Sequence, residues 1–133
     1  MDRKFIISID GASSTGKSTL ARKISNLLKF IHIDSGAMYR AVTLFAKNNH
    51  LLSNNLVDKK VLIKLLPNIK VDFVKNNIHL NGMDVSKDVR DENISNFVSK
   101  VAEIPEVRSF LVTKQRNFTI NHNVVMDGRD IGS

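Results

Sequence analysis

At 133 residues, 42% hydrophobic and 25% charged, the chain has the length and composition of one globular domain with a real core. It has no cysteine, hence no disulfide framework or thiolate metal site, and no apolar run nears the ~18 residues that span a bilayer. The formal net charge of +7 comes from scattered lysines, and with one tyrosine and no tryptophan for base stacking it favours polyphosphate ligands over nucleic acid.

Phe5 to Asp10 reads as a short buried parallel strand; it ends at a charge with no cleavage-like segment after it, so a cytoplasmic location is expected. Gly11-Ala12-Ser13-Ser14-Thr15-Gly16-Lys17-Ser18 follows and fits G-x-x-x-x-G-K-[ST] at every fixed position. A helical pattern comes next, with Leu20, Ile24, Leu27 and Leu28 as its apolar stripe and Arg22, Lys23 and Asn26 opposite. Strand, glycine-bounded loop and helix form the context that a phosphate-binding loop requires. Gly11 and Gly16 allow successive N–H groups to point at one anion, and the helix start adds its unsatisfied amides. Lys17 has the reach for β- and γ-phosphates, and the Ser18 hydroxyl is a Mg²⁺ ligand in such loops. The motif implies binding of a nucleoside triphosphate.

Phe30 to Ile33 is a second short strand, closed by Asp34-Ser35-Gly36. Met38, Ala41, Val42 and Phe45 then form a helical stripe that Asn48-Asn49 stops. This β-α-β-α order predicts an α/β fold with a parallel sheet and helices packed on it. Val57, Val61, Leu62 and Leu65 suggest a short helix before Pro67. Val71 to Phe73, Ile78 to Leu80 and Met83 to Val85 alternate like strands, with turns at Asn76-Asn77 and Asn81-Gly82. These antiparallel pieces, from about Leu66 to Asp88, interrupt the parallel pattern and read as part of an insertion. Two helices follow, one carrying Ile94, Phe97, Val98 and Val101, the next opening at Pro105-Glu106 with Val107, Phe110, Leu111 and Phe118 inward. Val124 to Met126 is a last buried strand, ending in Asp127-Gly128-Arg129-Asp130.

Two clusters thus lie just past strand ends, the edge at which open α/β sheets bind ligands. In Asp34 to Arg40, Ser35 can cap the helix and Arg40, one turn on, can grip an anion bidentately; an ordinary cap with a surface arginine is the plain alternative. Asp127 stands where P-loop enzymes hold Mg²⁺, although Asp-Gly is also a common turn. Arg108 alone reads as a solvated helix residue. The four histidines show no ligand spacing, and Met38, Met83 and Met126 read as core filler.

Taken together, IDGASSTGKST, HIDSGAMYRAVTLFA, VSKVAEIPEVRSFLVTKQRNF and VVMDGRDIGS resemble the bacterial cytidylate kinases of the nucleoside monophosphate kinase group, in that family's order and spacing. The resemblance implies that residues 1–133 are a P-loop nucleotide kinase domain with a monophosphate-binding insertion at about 66–104. It implies transfer of the ATP γ-phosphate to CMP or dCMP with Mg²⁺. Gly11, Ala12, Ser13, Ser14, Thr15, Gly16, Lys17, Ser18 and Thr19 would hold the ATP phosphates, with Ser18 on the metal. Lys17, Asp127 and Arg129 would be catalytic. Ser35, Ser99, Arg129 and Asp130 would contact the base and sugar of CMP, and Arg40 and Arg108 would clamp its α-phosphate. Such an enzyme is expected to be a monomer with small-molecule partners, neither nucleic acid nor membrane.

The sequence departs from the family at Ser18, where glycine is frequent, and at Ala12, where proline is frequent. Family members also continue past the last strand seen here, with further strands, a lid and more arginines. Taken as a fragment, the chain is expected to show weak activity or none by itself. A different P-loop kinase remains an alternative. A GTPase-type switch is disfavoured, because neither D-x-x-G nor N-K-x-D occurs.

Overall fold

The structure, a computed structural model, describes residues 4–9 and 16–127, with the backbone alone at 17 and 18. In chain order its elements are β1 (Ile6–Ile9), α1 (Lys17–Leu28), β2 (Ile31–Asp34), α2 (Ser35–Asn48), β3 (Leu52–Ser53), β4 (Leu56–Val57) and α3 (Lys59–Leu65). There follow β5 (Val71–Val74), β6 (Asn77–Leu80), β7 (Met83–Asp84), α4 (Glu92–Ala102), α5 (Pro105–Asn121) and β8 (Val124–Asp127). The chain divides into two compact units, one of Met1–Gly36 with Val112–Ser133, the other of Ala37–Leu111.

The first unit holds the parallel sheet, in the order β1-β8-β2. The strand latest in sequence is the central one: Val124 to Asp127 pair residue by residue with Ile6 to Ile9 on one side and Ile31 to Asp34 on the other. Flanked on both edges, β8 is buried at every position, as its run of two valines and a methionine requires. β1 differs from the buried strand expected. It pairs on one side only among the described residues, and Phe5 and Ile6 are more than half exposed.

α1 also turns a different face inward from the one its leucines suggested. Ala21 and Ser25, four residues apart, are fully buried, while Leu20, Leu27 and Leu28 are exposed. A small residue at each turn lets the helix lie close over β8 and β2, and the Ser25 hydroxyl is satisfied locally by the Arg22 carbonyl at 2.8 Å. Closeness of approach, rather than side-chain hydrophobicity, sets this face.

The second unit has its core in Met38, Ala41 and Val42 of α2, Leu62 of α3, Val71 of β5, Ile94 and Val101 of α4, and Val107 and Leu111 of α5, all at most 1% exposed. Its antiparallel sheet has the order β5-β6-β7. Both connections carry two consecutive positive φ angles, at Lys75-Asn76 (52° and 65°) and at Asn81-Gly82 (50° and 85°), as tight hairpins need. The first turn is one residue earlier than the Asn76-Asn77 expected, and Asn77 joins β6. A hairpin that sequence patterning did not show, β3-β4, turns on Asn54-Asn55, again with both φ positive.

Asp58 and Asp91 cap α3 and α4, each accepting a backbone N–H of the first turn. The Asn93 amide, and after it the Lys47 ammonium at 3.1 Å, hold the Asp91 carboxyl below its usual range. A depressed folded-state pKa contributes stability that is present above the unfolded value of 3.8 and lost as pH falls through the folded one. Acidification below about pH 4 is therefore expected to fray the start of α4, seen as faster hydrogen exchange at the Asn93 amide. Asp91→Asn keeps a capping acceptor without a titrating group, so in that variant the acid step should vanish.

Candidate functional site

The parallel register aligns three strand ends in one row, Ile9, Asp127 and Asp34. This is the carboxyl edge of the sheet, and β1 leaves it directly into the glycine-bounded loop. Gly11, Ala12, Ser13, Ser14 and Thr15 lie outside the described residues, as do Arg129 and Asp130. At the far side of the loop Gly16 has φ 76° and ψ 18°, a left-handed conformation that glycine adopts without penalty. Lys17, Ser18 and Thr19 then form the first turn of α1. Among the described residues that turn carries no acidic residue and no side-chain cap, and its amides with the positive end of the helix dipole are suited to an anion.

Asp127 is 3% exposed, an expensive position for a carboxylate unless it is matched. Alternation puts His32 and Asp34 on one face of β2 and Val125 and Asp127 on the same face of β8. The buried imidazole Nε2 of His32 consequently stands 3.3 Å from Asp127 Oδ1. Ser35 is buried too, and its hydroxyl donates to the Asp127 backbone carbonyl at 3.0 Å. α2 begins at Ser35 itself, straight from the strand, and the hydroxyl ties that junction to β8. A Cβ at Gly36 would come within 3.3 Å of Asp34 Oδ1, so a larger residue there would require that carboxylate to give by a few tenths of an ångström.

Within the second unit, Arg40 lies on α2, Ser99 on α4 and Arg108 on α5. Arg40 is half-buried, and its Nη1 donates to the Val89 carbonyl at 3.0 Å and to Ser95 Oγ at 2.9 Å. These partners are not Ser99, which is exposed one turn further along α4. Arg108 is exposed as well. The structure thus joins Ser35 to Asp127 directly and anchors Arg40 to residues that sequence reasoning did not single out. His32 was missed likewise, and Asp34 was read only as the opening residue of the strand-end cluster. The available signal was a histidine alternating with an aspartate in a strand ending at the ligand edge.

The model of the cytidylate kinase family matches residues 7–133. The chain belongs to the cytidylate kinase family. It is 47% identical over 137 residues to the cytidylate kinase of Flavobacterium johnsoniae, covering 98% of this chain and 60% of that protein. The cytidylate kinase of Clostridium botulinum is 46% identical over 127 residues, covering 96% of this chain and 57% of its own length. That of Alkaliphilus metalliredigens is 41% identical, with 96% and 56% covered. The chain therefore spans about three fifths of the length of the curated cytidylate kinases it matches. An α/β chain with a three-stranded parallel sheet and small antiparallel sheets is the form this part of the family takes here. Among the described residues no helix is long and apolar enough to cross a membrane.

Proposed function

We propose that this chain carries the nucleotide sites of an ATP-dependent (d)CMP kinase, which transfers the γ-phosphate of ATP to CMP or dCMP and yields ADP and (d)CDP in pyrimidine nucleotide metabolism. The observation that supports it most is the register: the strand entering the phosphate-binding loop is paired residue for residue with the strand ending in buried Asp127. The strand that enters the proposed triphosphate loop and the strand that carries the carboxylate thereby end at one sheet edge.

In this reading Gly11 to Thr19 hold the ATP phosphates, with Lys17 on the β- and γ-phosphates. The donor set suits Mg²⁺, because the Asp127 carboxylate and the Ser18 hydroxyl are hard oxygen ligands. When bound, the ion neutralises charge building on the β- and γ-phosphate oxygens. Arg40 and Arg108 take the α-phosphate of CMP, bidentate guanidinium geometry suiting a phosphate better than a lysine would. Ser35, Ser99, Arg129 and Asp130 take the base and sugar. Ser35 spends its proton on the Asp127 carbonyl, so its oxygen lone pairs are what it offers to the exocyclic amine of cytosine. Arg129 joins Lys17 and Asp127 in stabilising the transferring phosphoryl group. The acceptor is already anionic, so positioning and charge neutralisation supply the rate, without a general base. The segment at about 66–104 serves as the monophosphate-binding insertion. The protein acts as a cytoplasmic monomer on small molecules, not on nucleic acid.

Titration calorimetry with CMP, dCMP, UMP and AMP, beside a coupled assay of ADP release, tests this. CMP and dCMP should bind most tightly and be the preferred acceptors. AMP or UMP binding and reacting well ahead of them would overturn the assignment.

A further inference from the structure

The contacts of Arg40 carry one step more, which rests on reading that residue as the grip for the CMP phosphate. We propose that Ser95 is a positioning residue: with the Val89 carbonyl it presets the Arg40 guanidinium, within the second unit, for side-on capture of a nucleoside monophosphate.

A guanidinium has five N–H donors in one plane, two of them on Nη1. Both acceptors found here meet Nη1, Val89 O at 3.0 Å and Ser95 Oγ at 2.9 Å. Two acceptors on one nitrogen fix the plane of the group and, among the described residues, leave the edge formed by Nε and Nη2 for a bidentate phosphate contact. The acceptors themselves are held. Val89 is buried in a 3₁₀ turn, Asp88–Arg90, where the carbonyls of Val85, Lys87 and Asp88 already receive backbone amides. The Val89 carbonyl goes to Arg40 instead. Ser95 belongs to α4, whose start is capped by Asp91, and Asp91 is paired in turn with Lys47 on α2. Preorganisation of this kind lowers the entropy that a long side chain loses when it binds.

The test measures CMP, cytidine and ATP binding by calorimetry on the 133-residue chain. Ser95→Ala should weaken CMP about three- to tenfold, the effect of losing one partner of a charged hydrogen bond. Cytidine and ATP should be unaffected, since neither uses this grip. Alanine is a better helix former than serine, so the melting temperature should not fall. Ser95→Thr, which keeps the hydroxyl, should restore CMP binding. In an Arg40→Ala background, itself weaker for CMP, Ser95→Ala should cost nothing further. CMP binding that Arg40→Ala leaves intact, or no CMP binding by the unaltered chain, would remove the reading of Arg40 and this inference with it. If Arg40→Ala weakens CMP but Ser95→Ala does not, or if its loss adds in full to that of Arg40→Ala, the positioning role alone is wrong.

Discussion

In the intact enzyme, replacing Lys17 with alanine is expected to lower ATP-dependent phosphorylation of CMP by on the order of a thousandfold while the fold survives. Lys17 is the first residue of α1, directly after left-handed Gly16. The residues that seat the helix on the sheet are Ala21 and Ser25, one and two turns away. Alanine is also the better helix former, so no structural reason exists for α1 to loosen. On the proposed reading, the substitution removes the positive charge assigned to the β- and γ-phosphates and leaves the backbone amides of the turn in place. Those amides stay, so ATP binding should weaken while the chemical step suffers most. The measurement pairs initial rates with a thermal melt followed by circular dichroism. An unchanged rate would contradict the role of the loop, and a collapsed melt would show that Lys17 is structural.

The order of β1, loop and α1 was legible because three local signals coincide there: an apolar run, two glycines at fixed spacing and a helical stripe. The strand-end position of Asp127 was legible for the same reason, since Val124 to Met126 has no reading other than buried strand. What lay beyond the sequence depends on register and on closeness of approach. His32 and Asp127 meet only because β8 inserts between β1 and β2, a pairing that no local pattern encodes. The inward face of α1 consists of an alanine and a serine, which give no hydrophobic signal, whereas its conspicuous leucines face outward. The two-residue strands β3 and β4 are too short for any alternation to register. The anchoring of Arg40 likewise needed the carbonyl of a 3₁₀ turn to be brought beside α2, and carbonyls are invisible in a sequence.

Asp127→Ala is expected to cost both stability and catalysis, and a second substitution separates the two. Removing the carboxylate leaves the His32 imidazole, 4% exposed, facing an emptied space in the first unit. Breaking a buried polar pair from one side costs about 2–4 kcal/mol, to be seen as a lower urea midpoint. Replacing both partners with apolar groups, as in the combined His32→Leu and Asp127→Leu variant, removes the buried imidazole together with the carboxylate and should recover most of that loss. The strand register and the Ser35 bond use the Asp127 backbone and remain in either variant. Activity should part company with stability at this point. If Asp127 serves the transferring phosphate and its Mg²⁺, the stabilised double variant stays slower by roughly a hundredfold or more. Full activity in the double variant would leave Asp127 with a purely structural duty, as the partner that makes a buried histidine tolerable in the sheet.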